Sequence, residues 1–322
     1  MAVVMIGVDP HKASHTAVAI NAAEGPLGEV QVRACAVQAE RLLGWAAAWP
    51  DRTWAMEGAG GLGHLLAQQL LAAGEQVLDV PPKLAARVRL LATGDTNKND
   101  PNDARSVAVA ALRSRGVREV SRDDHAAVLK VWSKRHRDLG RTRTQVACRL
   151  HAVLCELIPG GVSKQITAGQ ATQLLTSITP SGAMEVARRE LAAEFTEDLR
   201  HIDTQIRDTR KRLATAVAAA GTSLTGLFGV GPVIAAAVIG DVRQVSGFPG
   251  RDHFAAYNGT APIEVSSGQR KIYWLSRRGN RRLNHAIHMA AVTQIRNRHS
   301  AGRAYYDKKL AEGKTAKRPC AR

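Results

Sequence analysis

Aromatic side chains are scarce in this 322-residue chain: four Phe, five Trp and four Tyr, 4% in all. That scarcity argues against a stacking platform for single-stranded nucleic acid, which needs successive exposed rings. Only four cysteines occur (Cys35, Cys148, Cys155, Cys320), and none forms a CxxC pair, so reduced structural thiols are expected rather than zinc ligands or a disulfide. No apolar run reaches the ~18–20 residues of a membrane span. The opening MAVVMIGVDPHK is apolar but lacks the basic start and small-residue cleavage site of a signal peptide, so a cytoplasmic, nucleoid-associated location and no membrane partner are expected.

Negative charge is also in deficit. Lys and Arg number 45 against 28 Asp and Glu, a formal net charge of +17. Such an excess points to a polyanionic partner, usually nucleic acid. Arginine carries it, 33 against 12 lysines, which favours bidentate phosphate contacts, although a coding bias toward Arg and Ala could also set that choice. The charge is uneven: net −2 over 1–100, +6 over 101–160, +1 over 161–220 and +12 over 221–322. Acidic chemistry in front and a cationic grip behind is the reading this distribution supports.

Apolar runs at 3–9, 15–20, 29–36, 53–58 and 75–80 read as strands, and 38–48, 64–74 and the segment opened by Pro81-Pro82 as helices. Three strands followed by alternating helices and strands predict an α/β domain over 1–118, with a mixed sheet that is parallel after the meander. Residues 119–220 form the expected helical middle. A helix over about 122–158 and a loop or tip over 159–183 precede a helix over 184–219. The last carries a heptad seam of Met184, Leu191, Phe195, Ile202, Ile206, Thr209, Leu213 and Val217, which fits an antiparallel hairpin or an oligomerising coiled coil. Residues 221–322 form a mainly α C-terminal domain. Within it, LTGLFGVGPVIAAAVIG at 224–240 has the pattern of a helix-hairpin-helix, with a turn at Gly229 and Gly231 able to offer backbone N–H groups to a phosphate; a plain tight turn is the simpler alternative.

Four acids stand out. Asp9 and Glu57 each end a strand, and parallel strands collect their carboxyl ends at one ligand-binding edge. Asp100 and Asp103 share one side of a helix start, where Asp100 also suits the N-cap. Gathered carboxylates repel unless cations join them, and hard divalent ions, Mg²⁺ first, suit oxygen ligands. His11 and Lys12 lie nearby and read more readily as a solvated turn. Further on, Ser266-Ser267-Gly268 precedes the cationic run Lys271, Arg277, Arg278, Asn280, Arg281 and Arg282, candidates for nucleic-acid contact; from chemistry alone the serines are a turn.

These motifs together resemble a known family. Strand-Asp9, Glu57 in MEG and DPNDAR at 100–105, with GVGPVIAAAVIGDV, FAAYNGTAPIEVSSG and SRRGNRRLNHAIHMAA downstream, are similar to DEDD-type bacterial insertion-sequence transposases with an RNase H-like (RuvC-like) N-terminal domain, relatives of Piv-type DNA invertases. The resemblance implies a recombinase in which Ser267 attacks DNA and Asp9, Glu57, Asp100 and Asp103 bind Mg²⁺. It also implies halves of a site that can come from different protomers, a dimer-to-tetramer assembly, and a non-coding bridge RNA that specifies donor and target DNA. Gly-Ala follows Glu57 where the family more usually has a small residue, Thr and Gly, and the chain stops at GKTAKRPCAR, near where the family continues into a further helix. A Piv-like invertase, a RuvC-like junction nuclease that uses the acids alone, and an inactive, shortened nucleic-acid-binding copy are the alternatives.

Overall fold

A computed structural model of the chain describes residues 4–91, 99–114, 116–162, 166–268, 270–276 and 279–313, so Arg277, Arg278 and Cys320 lie outside the described residues. The chain divides into two compact units, 1–123 and 124–322.

The first unit is built on a six-stranded sheet. Its strands are β1 (Val4–Pro10), β2 (Ser14–Ile20), β3 (Pro26–Arg33), β4 (Arg52–Glu57), β5 (Val77–Val80) and β6 (Arg118–Glu119), in the order β3-β2-β1-β4-β5-β6. β1, β2 and β3 form an antiparallel meander, β4 and β5 add parallel to β1, and β6 closes the edge antiparallel. Four helices cover the sheet: α1 (Gln38–Ala46), α2 (His64–Ala72), α3 (Pro82–Leu91) and α4 (Asp100–Arg113). This architecture is compatible with the expected RNase H-like fold. The third strand starts and ends about three residues earlier than the sequence pattern suggests, because residues 34–36 already turn toward α1.

Alternation along the strands sorts side chains onto two faces. Ile6, Val8, Ala17, Ala19, Trp54 and Met56 pack with Leu42, Leu66 and Leu70 of α1 and α2. Met5, Val18, Ile20 and Ala55 pack with Ala85, Ala104, Val107 and Ala108 of α3 and α4. The same period of two carries Asp9 and Glu57 to the α3/α4 face. One further residue on β1 shares that face. A Cβ on Gly7 would lie 2.0 Å from the Ala104 carbonyl oxygen and 2.6 Å from the Ala108 amide nitrogen, so α4 rests its backbone on β1 at this point. Gly7→Ala is therefore expected to lift α4 off the sheet. Its cost should reach at least the upper end of the ~1–3 kcal/mol seen for overpacking, read by urea unfolding, and divalent-ion binding should weaken with it because α4 carries Asp100 and Asp103. An unchanged unfolding midpoint would refute the close contact.

The second unit is helical apart from one hairpin. α5 (His125–Leu157) and α7 (Ala183–Ala219) run antiparallel, with α6 (Ala168–Thr176) folded between them where the sequence pattern suggested only a loop. A Thr167–Gln170 capping box starts α6, and it packs Ala171 and Leu175 into the common core. The α5–α7 seam buries Leu139, Val146, Leu150 and Leu154 against Ala192, Leu199 and Ile202, and is fixed by Arg143–Asp203 (2.5 Å) and Arg188–Glu156 (2.6 Å) pairs. Much of the heptad seam is thus satisfied inside one chain as an antiparallel hairpin; Met184 and Leu191 remain exposed.

After a 3₁₀ turn (Ser223–Gly226) come α8 (Pro232–Val242), α9 (Arg251–Asn258), the strands β7 (Pro262–Ser267) and β8 (Arg270–Leu275), then α10 (Arg281–Arg296) and α11 (Ala301–Ala311). Ala235 and Ala236 of α8 share a core with Leu129 of α5 and Leu213 and Val217 of α7, so residues 124–220 and the segment beyond them belong to one packed body. The element before the Gly229–Gly231 turn is one 3₁₀ turn rather than the α-helix that a helix-hairpin-helix would place there. Gly229 adopts φ +85°, and a Cβ on it would meet the Ala290 carbonyl of α10 at 2.8 Å, so this glycine serves a close helix contact.

Candidate metal centre and serine hairpin

The acidic site assembles at the carboxyl ends of β1 and β4. The last registered pair of these parallel strands is Val8–Met56, so Asp9 and Glu57 stand side by side one residue further on. The N-terminus of α4 brings Asp100 and Asp103 to the same edge. The helix is capped by Asn99 rather than Asp100: the Asn99 side chain accepts from the Asn102 amide at 2.8 Å, with Pro101 in the first turn. The capping duty therefore falls to Asn99, and neither aspartate is needed for it.

Electrostatics shows how closely the four acids are gathered. Burial pushes the Asp9 carboxyl above its ordinary value; His11 opposes this, Asp103 and Asp100 add to it, and Arg89 opposes it. The Glu57 carboxyl is raised by burial first, then by Asp9, with Arg89 opposing and Asp103 adding. Asp9 and Glu57 thus feel the neighbouring carboxylates, with Arg89, and for Asp9 also His11, opposing them. Asp9, His11 and Asp100 each present a ligand atom, and these atoms all lie within 4.8 Å of one another. His11 Nδ1 is 3.8 Å from Asp9 Oδ2. Asp103 is instead held by Arg89 of α3, Nη1 to Oδ1 2.7 Å. Among the described residues, then, Asp9 and Asp100 are within reach of one ion, with His11 beside them. Glu57 and Asp103 share the electrostatic field but not that group.

Half-buried carboxylates held against mutual repulsion fit a divalent cation. The donor set of two carboxylates and an imidazole is mixed, so it does not by itself select Mg²⁺ over a softer ion. His11 was the weaker reading of its turn in the sequence, and Arg89 carried no signal there at all. Arg89 comes from a helix whose position follows only from packing on the sheet.

Ser267 ends β7 and pairs with Arg270 across the hairpin; Ser266 pairs with Lys271. Directly opposed residues share a face, so Ser267 and Arg270 lie with Val265, Ile272, Ile263 and Trp274, whereas Ser266 lies with Lys271, Glu264 and Tyr273. The whole of β7 is exposed. Lys271 reaches Glu264 at 3.7 Å. The cations after the hairpin are partly engaged inside the unit. Asn280 caps α10 by accepting from the Arg282 and Leu283 amides, Arg281 donates to the Ser276 carbonyl, and Arg282 pairs with buried Asp241.

A mixed sheet compatible with an RNase H-like fold, with acids at its carboxyl edge and a basic helical unit following it, fits the expected DEDD-type transposase, and comparison with known proteins agrees. The transposase family DEDD_Tnp_IS110 matches residues 6–159, and the transposase IS116/IS110/IS902 family matches residues 221–307. The chain belongs to the IS110/IS116 family of insertion-sequence transposases. It is 25% identical to the insertion element IS116 44.8 kDa protein of Streptomyces clavuligerus, over 96% of this chain and 89% of that one. It is also 26% identical to the insertion element IS900 42 kDa protein of Mycobacterium paratuberculosis, over 97% and 90%. A shorter stretch, 29% of this chain and 23% of the relative, is 39% identical to the insertion element IS110 43.6 kDa protein of Streptomyces coelicolor. A transposase of this kind acts on DNA. No described helix is long and apolar enough to cross a membrane.

Proposed function

We propose that the chain catalyses strand exchange of its insertion element through a covalent serine–DNA intermediate. Asp9, Glu57, Asp100 and Asp103 would hold divalent metal, Mg²⁺ by preference, and Ser267 would be the nucleophile. The observation that supports this reading is the convergence of acids from two strands and a helix at one sheet edge: ligand atoms of Asp9, His11 and Asp100 lie within 4.8 Å of one another, and burial, with neighbouring carboxylates adding, raises the Asp9 and Glu57 carboxyls.

Divalent ions bound there would supply charge stabilisation at a phosphodiester's non-bridging oxygens and lower the proton affinity of an attacking hydroxyl. The chain's own groups would do the rest. Ser267 Oγ would bond to phosphorus as the bond to the departing deoxyribose oxygen breaks, and the serine proton would balance the charge on that leaving oxygen. Arg270, directly across the hairpin, would neutralise phosphate charge beside the serine. Arg89 would release Asp103 on metal binding, exchanging one cation for another. Residues 1–118 would thus form the metal half, 119–220 the helical scaffold, and 221–322 the serine half. Gly229, Gly231, Lys271, Arg277, Arg278, Asn280, Arg281 and Arg282 would line the path of the nucleic acid, and a bridge RNA and a dimer-to-tetramer assembly would complete it. The +12 charge of the last segment supports a polyanionic partner of either kind.

The test is to incubate the chain with the element's non-coding RNA, Mg²⁺ and a labelled DNA whose cleaved strand cannot be religated. A covalent adduct mapped by mass spectrometry to Ser267 is the expected result. Free cleaved ends without adduct would mean a junction nuclease; binding without cleavage would mean an inactive copy.

A further inference from the structure

The strongest unassigned feature is a cleft of about 510 Å³ on the α5–α6–α7 body, lined by Arg143, Arg200, Arg207 and Arg210 with Thr167–Gly169 at its side. We infer that this cleft holds the phosphodiester backbone of a nucleic acid, which makes the helical middle a binding element as well as a scaffold.

Four observations carry this. First, Arg200, Asp203, Arg207 and Arg210 step by three, four and three along α7, so they form one stripe about 15 Å long at 1.5 Å per residue. That length spans several successive phosphates. Second, the charge is only partly cancelled: Arg143 pairs with Asp203 and Arg200 with Glu197, but Arg207 and Arg210 have no acidic partner among the described residues. Arg207 donates to Thr204 Oγ1 at 3.0 Å, and Arg210 donates to the His136 ring nitrogen at 3.3 Å. Burial and then Arg210 hold the His136 imidazole below its usual pKa, so it acts as a neutral acceptor that steadies the guanidinium rather than as a competing cation. Third, the rest of the lining includes the small residues Ala168 and Gly169, which leave room for a phosphate to approach. Fourth, beside the cleft the apolar residues of α7 such as Ile202 already pack in the α5–α7 core, and a second copy of this arginine stripe would meet it with like charge, which disfavours self-association here. α5 adds to the field with seven Lys and Arg against two acids.

The inference rests on the transposase reading for the presence of nucleic acid and goes beyond it in placing a contact. The test uses the full chain in divalent-free buffer, so that the acidic site does not contribute. Binding of duplex DNA and of duplex RNA of the same sequence is titrated against salt. Replacing both free arginines (Arg207→Gln with Arg210→Gln) should reduce the slope of log K against log salt by about 2, equally for unrelated sequences, on whichever polymer occupies the cleft. Arg207→Lys with Arg210→Lys should keep the slope. Should the double Gln variant fail to fold by circular dichroism, the single exposed Arg207→Gln change should remove about 1 from the slope. Unchanged slopes on both polymers in a folded variant would overturn the inference, as would failure of the unaltered chain to bind either. A reduced slope in a protein that forms no DNA adduct would leave the inference standing and sink the proposed function instead.

Discussion

Ser267→Ala protein is expected to bind DNA and RNA as the unaltered chain does, to bind divalent ions equally well, and to form no covalent DNA adduct. Its strand-exchange rate should fall about a thousandfold or more, at least ~4 kcal/mol of barrier, because no neighbouring hydroxyl shares its position. The hairpin register makes this sharp. Ser266 is one residue away but on the opposite face, beside Lys271 and Glu264, so Ser266→Ala should retain most activity. Equal loss in both variants would show that the hairpin is read as a shape and that neither hydroxyl attacks. A mixing experiment extends the prediction. If the acids of one protomer serve the serine of another, Ser267→Ala and Asp9→Asn proteins, each inactive, restore activity when mixed. In a random two-fold dimer this reaches roughly a quarter of the unaltered rate, since about half the dimers are mixed and one of their two sites is intact. Restoration is the expected result. Activity that stays at the level of either variant alone would assign both halves to a single chain.

Much of the acidic edge is legible in the sequence. A strand ending in an acid, twice, with compatible hydrophobic alternation, implies that both acids end on one edge, and period-two counting from Ile6 and Trp54 even gives the face. The helix beginning at DPND was legible as well, but its cap was not. Asn99 lies one residue ahead of Asp100, which suits a cap equally well by residue type, and only the backbone geometry distinguishes them. Arg89 and His11 were invisible or undervalued for a physical reason: their role depends on how α3 and the β1–β2 turn pack against other elements, and no local pattern encodes that. The serine hairpin illustrates the same limit from the other side. Its two serines are equivalent by composition; the family resemblance points to Ser267, and strand register adds that Ser266 lies on the opposite face. The α7 seam shows how a correct period can leave its partner open. The spacing of Ile202, Thr209, Leu213 and Val217 fits a second copy as well as α5, and the in-chain α5 takes it because the intervening segment contributes α6 and closes the hairpin.

A site built from mutually repelling acids should cost the fold stability until metal arrives, and Asp9→Asn tests this with an effect of opposite sign in the two conditions. Asp9 is half-buried and its carboxyl is raised above the ordinary 3.8, as that of Glu57 is above 4.5. Below the unfolded-state values both groups are protonated in either state and the penalty is absent. As pH rises through the window between the unfolded and the raised folded values, the unfolded chain gives up its protons first, so stability falls with pH and the full penalty is present at neutral pH. Other carboxylates act the other way: Glu185, held below its usual value by the Ser181 amide and hydroxyl, loses favourable interactions on acidification. The difference between Asp9→Asn and the unaltered chain cancels those shared contributions. In divalent-free buffer at neutral pH the variant should therefore melt higher, by about 2–4 °C if the gain is near 1 kcal/mol, and the advantage should vanish as pH falls below the carboxylate range. Adding Mg²⁺ or Mn²⁺ should reverse the order. At a hundred times the dissociation constant, one bound ion stabilises the unaltered chain by ~2.7 kcal/mol, whereas the variant, short of a ligand, gains little. A variant that melts lower in the absence of metal, or that gains as much from it, would mean that Asp9 is a structural acid and that the edge of the sheet holds no ion.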